Sequence, residues 1–210
     1  MQGSDMMKKV CENWEQALPA GNFGPHLFGE FETRAKNVSA EVFRVATAAE
    51  AQAVLVELAK SLGAKKAVAV DCPLAASAGA YEALKNAGLE VYTEATDIAA
   101  HADTADLGVS GVEFGVAETG SVLQDALAIE SRLVSTLPPV HVVFMNSGKI
   151  VPAMADAIGV VAKVFDRGYL SFITGPSRTA DIERVLTIGV HGPSRFIIIA
   201  VDETAGGGVA

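Results

Sequence analysis

The chain has 210 residues, half of them apolar and only 6% aromatic, and its 16 basic and 25 acidic side chains leave a net charge of −9. That is enough apolar material for one sizeable core of Ala, Val, Ile and Leu, a composition suited to helices packed on a sheet. No basic run interleaves with aromatics, which excludes nucleic acid and anionic membrane surfaces as general partners.

The two cysteines, Cys11 and Cys72, lie far apart and form no C-x-x-C pair. Neither a disulfide framework nor a four-cysteine iron–sulfur cluster is expected on this chain, and a reducing compartment, the cytoplasm, is its expected place. No apolar run reaches the roughly 18 residues of a membrane span. The opening MQGSDMMKKV is not followed by the apolar segment of a secretory signal.

Met6 to Leu18 reads as a short amphipathic helix, with Trp14 and Leu18 on one face. The proline- and glycine-rich stretch from Pro19 to Phe28 reads as a mobile connector. Residues 1–37 together form an expected arm whose Trp14, Phe23, Phe28 and Phe31 need an apolar surface, on the same domain or on another copy of the chain. From Glu41 strands and helices alternate: strand Val42 to Val45, helix Ala48 to Leu62 ending at Gly63, strand Ala67 to Val70, helix Pro73 to Ala87 ending at Gly88, strand Leu89 to Tyr92. Short apolar strands separated by glycine-stopped helices predict a mostly parallel sheet with helices on both faces. Two strand-like runs flank Ala117-Glu118-Thr119-Gly120, which predicts a hairpin at the sheet edge. The remaining elements are strand His141 to Met145, helix Pro152 to Asp166, strand Tyr169 to Thr174, helix Thr179 to Ile188 and strand Phe196 to Val201. The domain is expected over 38–202, with 203–210 a flexible tail.

Ligands of open α/β sheets gather beyond the carboxyl ends of the strands. That rule selects Asp71-Cys72-Pro73, Asn146-Ser147-Gly148-Lys149, Thr174-Gly175-Pro176-Ser177-Arg178 and the Ala117–Gly120 turn. In the third of these Ser177 or Thr179 caps a predicted helix, Gly175 and Pro176 shape the corner, and Arg178 offers a fork of donors to a carboxylate or phosphate. Asp181 and Glu183 would compete for the same helix dipole. Asn146 is a candidate amide for orienting a ligand, although the surrounding turn lacks the phosphate-loop pattern. Glu118, at a strand end, is a candidate base or nucleophile, and His191, in a tight connector, a candidate acid, base or donor. Each also has a plain structural reading as a turn or capping residue. No H-E-x-x-H, G-x-G-x-x-G or G-x-S-x-G element is present, so a zinc site, a dinucleotide fold and a hydrolase triad are not expected.

The series GVAETGSVL, Arg132 to His141 (R-x-x-S-x-x-P-P-x-H), ITGPSRTADIE and GVHGP resembles the LUD-domain family, and within it the single-domain group of lactate-utilisation C proteins. The resemblance runs from about Glu41 to Val201, its specific part beginning at Asp106. It implies an α/β fold similar to the ribose-phosphate isomerase, glucosamine-phosphate deaminase and coenzyme A transferase group. It also implies membership of a three-protein system oxidising L-lactate to pyruvate, in which cysteine-rich partners hold the iron–sulfur clusters and this chain binds no cofactor itself. Under that reading Thr119, Gly120, Asn146, Thr174, Gly175, Ser177, Arg178 and Thr179 bind a small carboxylate or other anion, and Glu118 and His191 handle its hydroxyl. Two alternatives stand beside it: an independent transferase or isomerase acting on an acyl-coenzyme A or sugar phosphate, and a purely structural assembly protein that docks through the aromatic arm.

Overall fold

Six apolar runs pair, all in parallel, into the central sheet of the computed structural model: β1 (Glu41–Val45), β2 (Lys66–Ala69), β3 (Glu90–Tyr92), β4 (Leu107–Gly111), β7 (Val140–Asn146) and β12 (Arg195–Val201), in the order β1-β12-β7-β4-β2-β3. The structure describes residues 9–19, 21, 23–166, 168–177, 181–182, 185–186 and 191–202. The tail 203–210, Arg178 and Thr179 lie outside them. The fold is α/β, as the alternation predicts.

β12 reads Arg-Phe-Ile-Ile-Ile-Ala-Val and is apolar on both faces because both faces are covered. Ile197, Ile199 and Val201 join one core with α2 (Ala48–Ser61), α3 (Pro73–Ser77) and α4 (Ala80–Asn86). Phe196, Ile198 and Ala200 join another with α1 (Phe28–Asn37). α5 (Ala95–His101) and α6 (Ile129–Thr136) cover Val68 and Val70 on that same side. α2 begins where its sequence says it should, with Thr47 accepting a hydrogen bond from the Glu50 amide at 3.2 Å.

A second sheet of four strands lies over the α1 side, with β5 (Phe114–Val116), β6 (Ser121–Asp125), β8 (Ile150–Val151) and β9 (Leu170–Ile173) in the order β8-β5-β6-β9. Its outer face packs on α7 (Met154–Val164) and Trp14. The hairpin around Thr119-Gly120 is real, but β5 and β6 build this second sheet rather than an edge of the first. The strand expected at Tyr169 to Thr174 pairs antiparallel with β6 here, not in the parallel sheet.

Three helical expectations are corrected. Of the helix Met6 to Leu18, the described residues form one 3-10 turn, Trp14–Ala17; Met6 to Lys8 lie outside them. The helix Pro73 to Ala87 is two, divided where Gly79 takes a left-handed φ of 62°, a conformation only glycine adopts at little cost. In place of the helix Thr179 to Ile188, β10 (Asp181–Ile182) and β11 (Val185–Leu186) form an antiparallel ladder. Ile182, Val185 and Leu186 satisfy a helical period over this short span, and short apolar runs do not separate the two periods. The arm's aromatics find their surface on the same chain. Phe28 and Phe31 are buried between the sheets, and Trp14 packs edge-on against Phe114 with ring centroids 6.2 Å apart. The connector is pinned by the Gly24 amide donating to the Ile150 carbonyl at 3.0 Å.

Candidate functional site

β2 and β4 are neighbours, yet the chain leaves them in opposite directions. After β2 it turns into α3 on one face, and after β4 it runs into β5 on the other. Divergence at such a switch point opens a crevice at the strand ends. The crevice is present as a cavity of about 210 Å³ whose lining includes Cys72, Glu113, Gln124, Asp125, Asn146 and Lys149, with Lys9 and Glu15 of the N-terminal segment at its rim. Two of the four places picked from the sequence, those at Asp71–Pro73 and at Asn146–Lys149, therefore meet in one site.

Its walls are polar and buried. Gln124, 1% exposed, donates from Nε2 to the Ser110 hydroxyl at 2.9 Å, and Ser110 Oγ lies 2.8 Å from His141 Nε2. Among the described residues Gln124 Oε1 and His141 Nδ1 find no hydrogen-bond partner. Burial pushes the imidazole down to about 3, so His141 stays neutral. Burial likewise pushes the Cys72 thiol up to about 11, which keeps it protonated and a poor nucleophile. Burial also raises the Glu113 carboxyl, against the pull of Lys9 3.4 Å away. Burial would lower Lys9, but the charge and hydrogen bond of Glu113 win and raise it. Asp125 accepts four N–H groups, from Val10 (2.7 Å), Cys11 (3.2 Å), the Trp14 indole (3.3 Å) and Leu127 (3.3 Å), and so straps the N-terminal segment along the cavity. Lys149 pairs with Glu15 at 2.6 Å. Asn146 lines the cavity while its side-chain oxygen accepts the Gly148 amide at 2.8 Å.

The other expected site residues that the structure describes lie elsewhere. Glu118 is exposed, and its carboxylate accepts the Met154 amide at 2.9 Å, at the start of α7, where Asp156 also accepts the Ala153 amide at 3.1 Å. Two carboxylates on a helix N-terminus are a stabilising arrangement. Thr119 Oγ1 accepts the Ser121 amide at 3.3 Å, and Ser121 Oγ lies 2.7 Å from Thr174 Oγ1, so the Ala117–Gly120 turn and the Thr174 corner touch. Ser177 donates from its hydroxyl to the His191 carbonyl and from its amide to the Pro193 carbonyl (2.8 Å), which joins that corner to the His191 connector. The His191 side chain is exposed. Gly120 has a φ of 67°, and a Cβ there would stand 2.2 Å from the Ala35 amide nitrogen; one on Gly175 would stand 2.2 Å from the Val38 carbonyl. Both glycines let backbone close on the end of α1. Of the expected ligand-binding and catalytic residues that the structure describes, Asn146 alone borders the cavity.

Glu113, Gln124 and the Ser110–His141 pair were not singled out from sequence. A polar residue inside an apolar strand, as Gln124 and His141 are, was the available signal.

A parallel sheet covered by helices, with a crevice at the β2/β4 switch, defines an open-sheet α/β domain. The model of the LUD domain matches residues 29–201, and the chain belongs to that family. It is 34% identical over 108 residues to lactate utilization protein C of Geobacillus sp. (strain WCH70), a match covering 49% of this chain and 45% of that protein. The figures for the protein of the same name in Bacillus subtilis (strain 168) are 34% over 107 residues, 49% and 45%. The matched stretch thus spans about half the length of these relatives. A DUF162 family protein from Deinococcus radiodurans has the same fold, with a TM-score of 0.59 and 25% identity over 84% of this chain and 96% of that one.

Proposed function

We propose that this chain serves lactate utilisation as a non-redox component of a system that oxidises L-lactate to pyruvate, binding a small carboxylate or organising the complex. The observation that carries this reading is the family membership together with the relatives named for lactate utilisation. Two cysteines are too few for a four-cysteine cluster, so iron–sulfur centres would reside in cysteine-rich partners. Among the described residues, no group of three or more His, Cys, Asp or Glu side chains converges on a point, and no helix is long and apolar enough to cross a membrane.

The test is deletion of the chain followed by growth on L-lactate, with an anaerobic affinity purification of the tagged protein. Failure to grow on lactate alone, with co-purification of iron-containing, cysteine-rich proteins, supports the reading. Normal growth on lactate overturns it. The anion-binding role proposed for Arg178 is tested in the same system: Arg178→Ala should abolish lactate-dependent activity and leave Tm nearly unchanged. A large fall in Tm would make Arg178 structural instead.

A further inference from the structure

We infer that residues 9–13, together with the Glu15 side chain, form a self-inhibiting strap. Closed, it shuts the cavity at the β2/β4 switch and occupies that cavity's own charged groups; it opens by detaching locally about Trp14. The inference does not rest on the function proposed above.

The strap is anchored behind rather than along its length. Trp14, Ala17 and Leu18 are buried against the second sheet and α7, and Lys163 donates to the Ala17 carbonyl at 3.1 Å. Ahead of Trp14 no described residue is buried: Lys9, Glu12 and Asn13 are exposed, and Val10 and Cys11 are half-buried against the same cluster. Residues 9–13 belong to no helix or strand. Their hold is the Asp125 carboxylate, which accepts the Val10 and Cys11 amides at 2.7 and 3.2 Å, and the Lys9–Glu113 pair at 3.4 Å. Segments with so few buried contacts open separately from the core.

What the strap covers is a set of charged groups. Glu113, its side chain 17% exposed, faces Lys9, which is 39% exposed. Lys149, 29% exposed, faces Glu15 at 2.6 Å, and Glu15 is 66% exposed. In each pair the strap supplies the more exposed partner. Exposed ion pairs of this kind contribute little, so both strap side chains give way to water readily. Opening therefore returns Glu113 and Lys149 to the cavity, of about 210 Å³, and withdraws two of the four donors on Asp125. A molecule bound against those groups and the closed strap exclude one another. Its affinity is reduced by the fraction of chains that stand open, which is what makes the strap inhibitory.

Cys72 reports the state of the strap, because it lines the same cavity and is 2% exposed. The experiment is labelling of Cys72 with iodoacetamide, a small neutral reagent, in the full chain carrying Cys11→Ser, where it is the single thiol. The expected result is slow labelling whose rate does not change with urea below the unfolding transition, the mark of local opening. Adding Lys9→Met and Glu15→Gln should raise that rate about fivefold, as the loss of two exposed pairs allows. The charge change alone acts the other way, since Lys9 favours the Cys72 thiolate and Glu113 opposes it. Amide exchange at residues 10 and 11 should accelerate by a similar factor while β12 stays slow. Labelling of the parent as fast as an unfolded thiol would mean that nothing shuts the cavity. A rate that climbs with urea at the slope of global unfolding, or equal rates with and without the two strap substitutions, would equally overturn the strap. Should the strap substitutions destabilise the fold, the urea dependence of the parent decides alone.

Discussion

His141 makes the fold acid-sensitive at a single atom pair. In the unfolded chain its imidazole takes a proton below about pH 6.5, whereas in the native state burial holds it neutral down to about 3. The unfolded state therefore binds more protons throughout that interval. The stability His141 contributes is complete above about pH 6.5 and is lost as the pH falls toward 3. Between pH 6.5 and 5 the loss is about 2 kcal/mol, at 1.36 kcal/mol per pH unit. Urea unfolding at the two pH values should reveal this difference in the wild type and not in His141→Gln. Equal pH dependence in both would show that the ring is not sealed from water. Gly120 supplies a second prediction at this scale. Alanine there needs a left-handed backbone, at about 1–2 kcal/mol, and its Cβ would meet the Ala35 amide nitrogen at 2.2 Å. Gly120→Ala should lower stability by more than 2 kcal/mol in chemical denaturation, because the φ strain and the clash add. A variant of unchanged stability that has lost ligand binding would return Gly120 to the role expected from the sequence.

At the scale of elements, the N-terminal segment is held by one carboxylate more than by any helix of its own. Asp125→Ala removes the acceptor of the Val10, Cys11 and Trp14 donors while leaving the Trp14–Phe114 contact in place. Hydrogen exchange should then accelerate in residues 9–18 and stay slow in the central strands, because loosely tethered segments open separately from the core. Uniform acceleration across the sheet would mean that the segment belongs to the cooperative core. Elements whose own residues encode their limits were legible in the chain. Helix α2 carries Thr47 at its start and Gly63 after its end, and β12 is a continuous apolar run that only a doubly covered strand requires. Elements without such punctuation were not. Nothing local says that Gly79 divides a helix rather than sitting inside one, nor that Ile182 and Val185 face each other across a ladder. Tertiary pairing outweighs propensities that differ by less than ~1 kcal/mol per residue.

Across the whole molecule, the cavity is assembled from three strand ends, a second sheet and a segment more than a hundred residues away in sequence. The corners at Asp71–Pro73 and Asn146–Lys149 were legible as places for a site because strand ends are where α/β sheets bind ligands, a rule that needs only the order of elements. Glu113, Gln124 and the Ser110–His141 pair were not, since their meaning lies in which polar group lacks a partner once two sheets close. Of the motif residues, Thr119 and Thr174 meet through Ser121, and Ser177 bonds to the His191 connector, while Glu118 bonds instead to the start of α7. The sequence by itself determined the α/β class, the parallel sheet and its family, because apolar period, glycine stops and motif spacing are local properties of the chain. Only the tertiary structure decided that β5, β6, β8 and β9 leave the parallel sheet to form a second one. It alone decided where the cavity opens and which buried oxygen is left unsatisfied, because strand partnership and desolvation depend on residues that no local window contains.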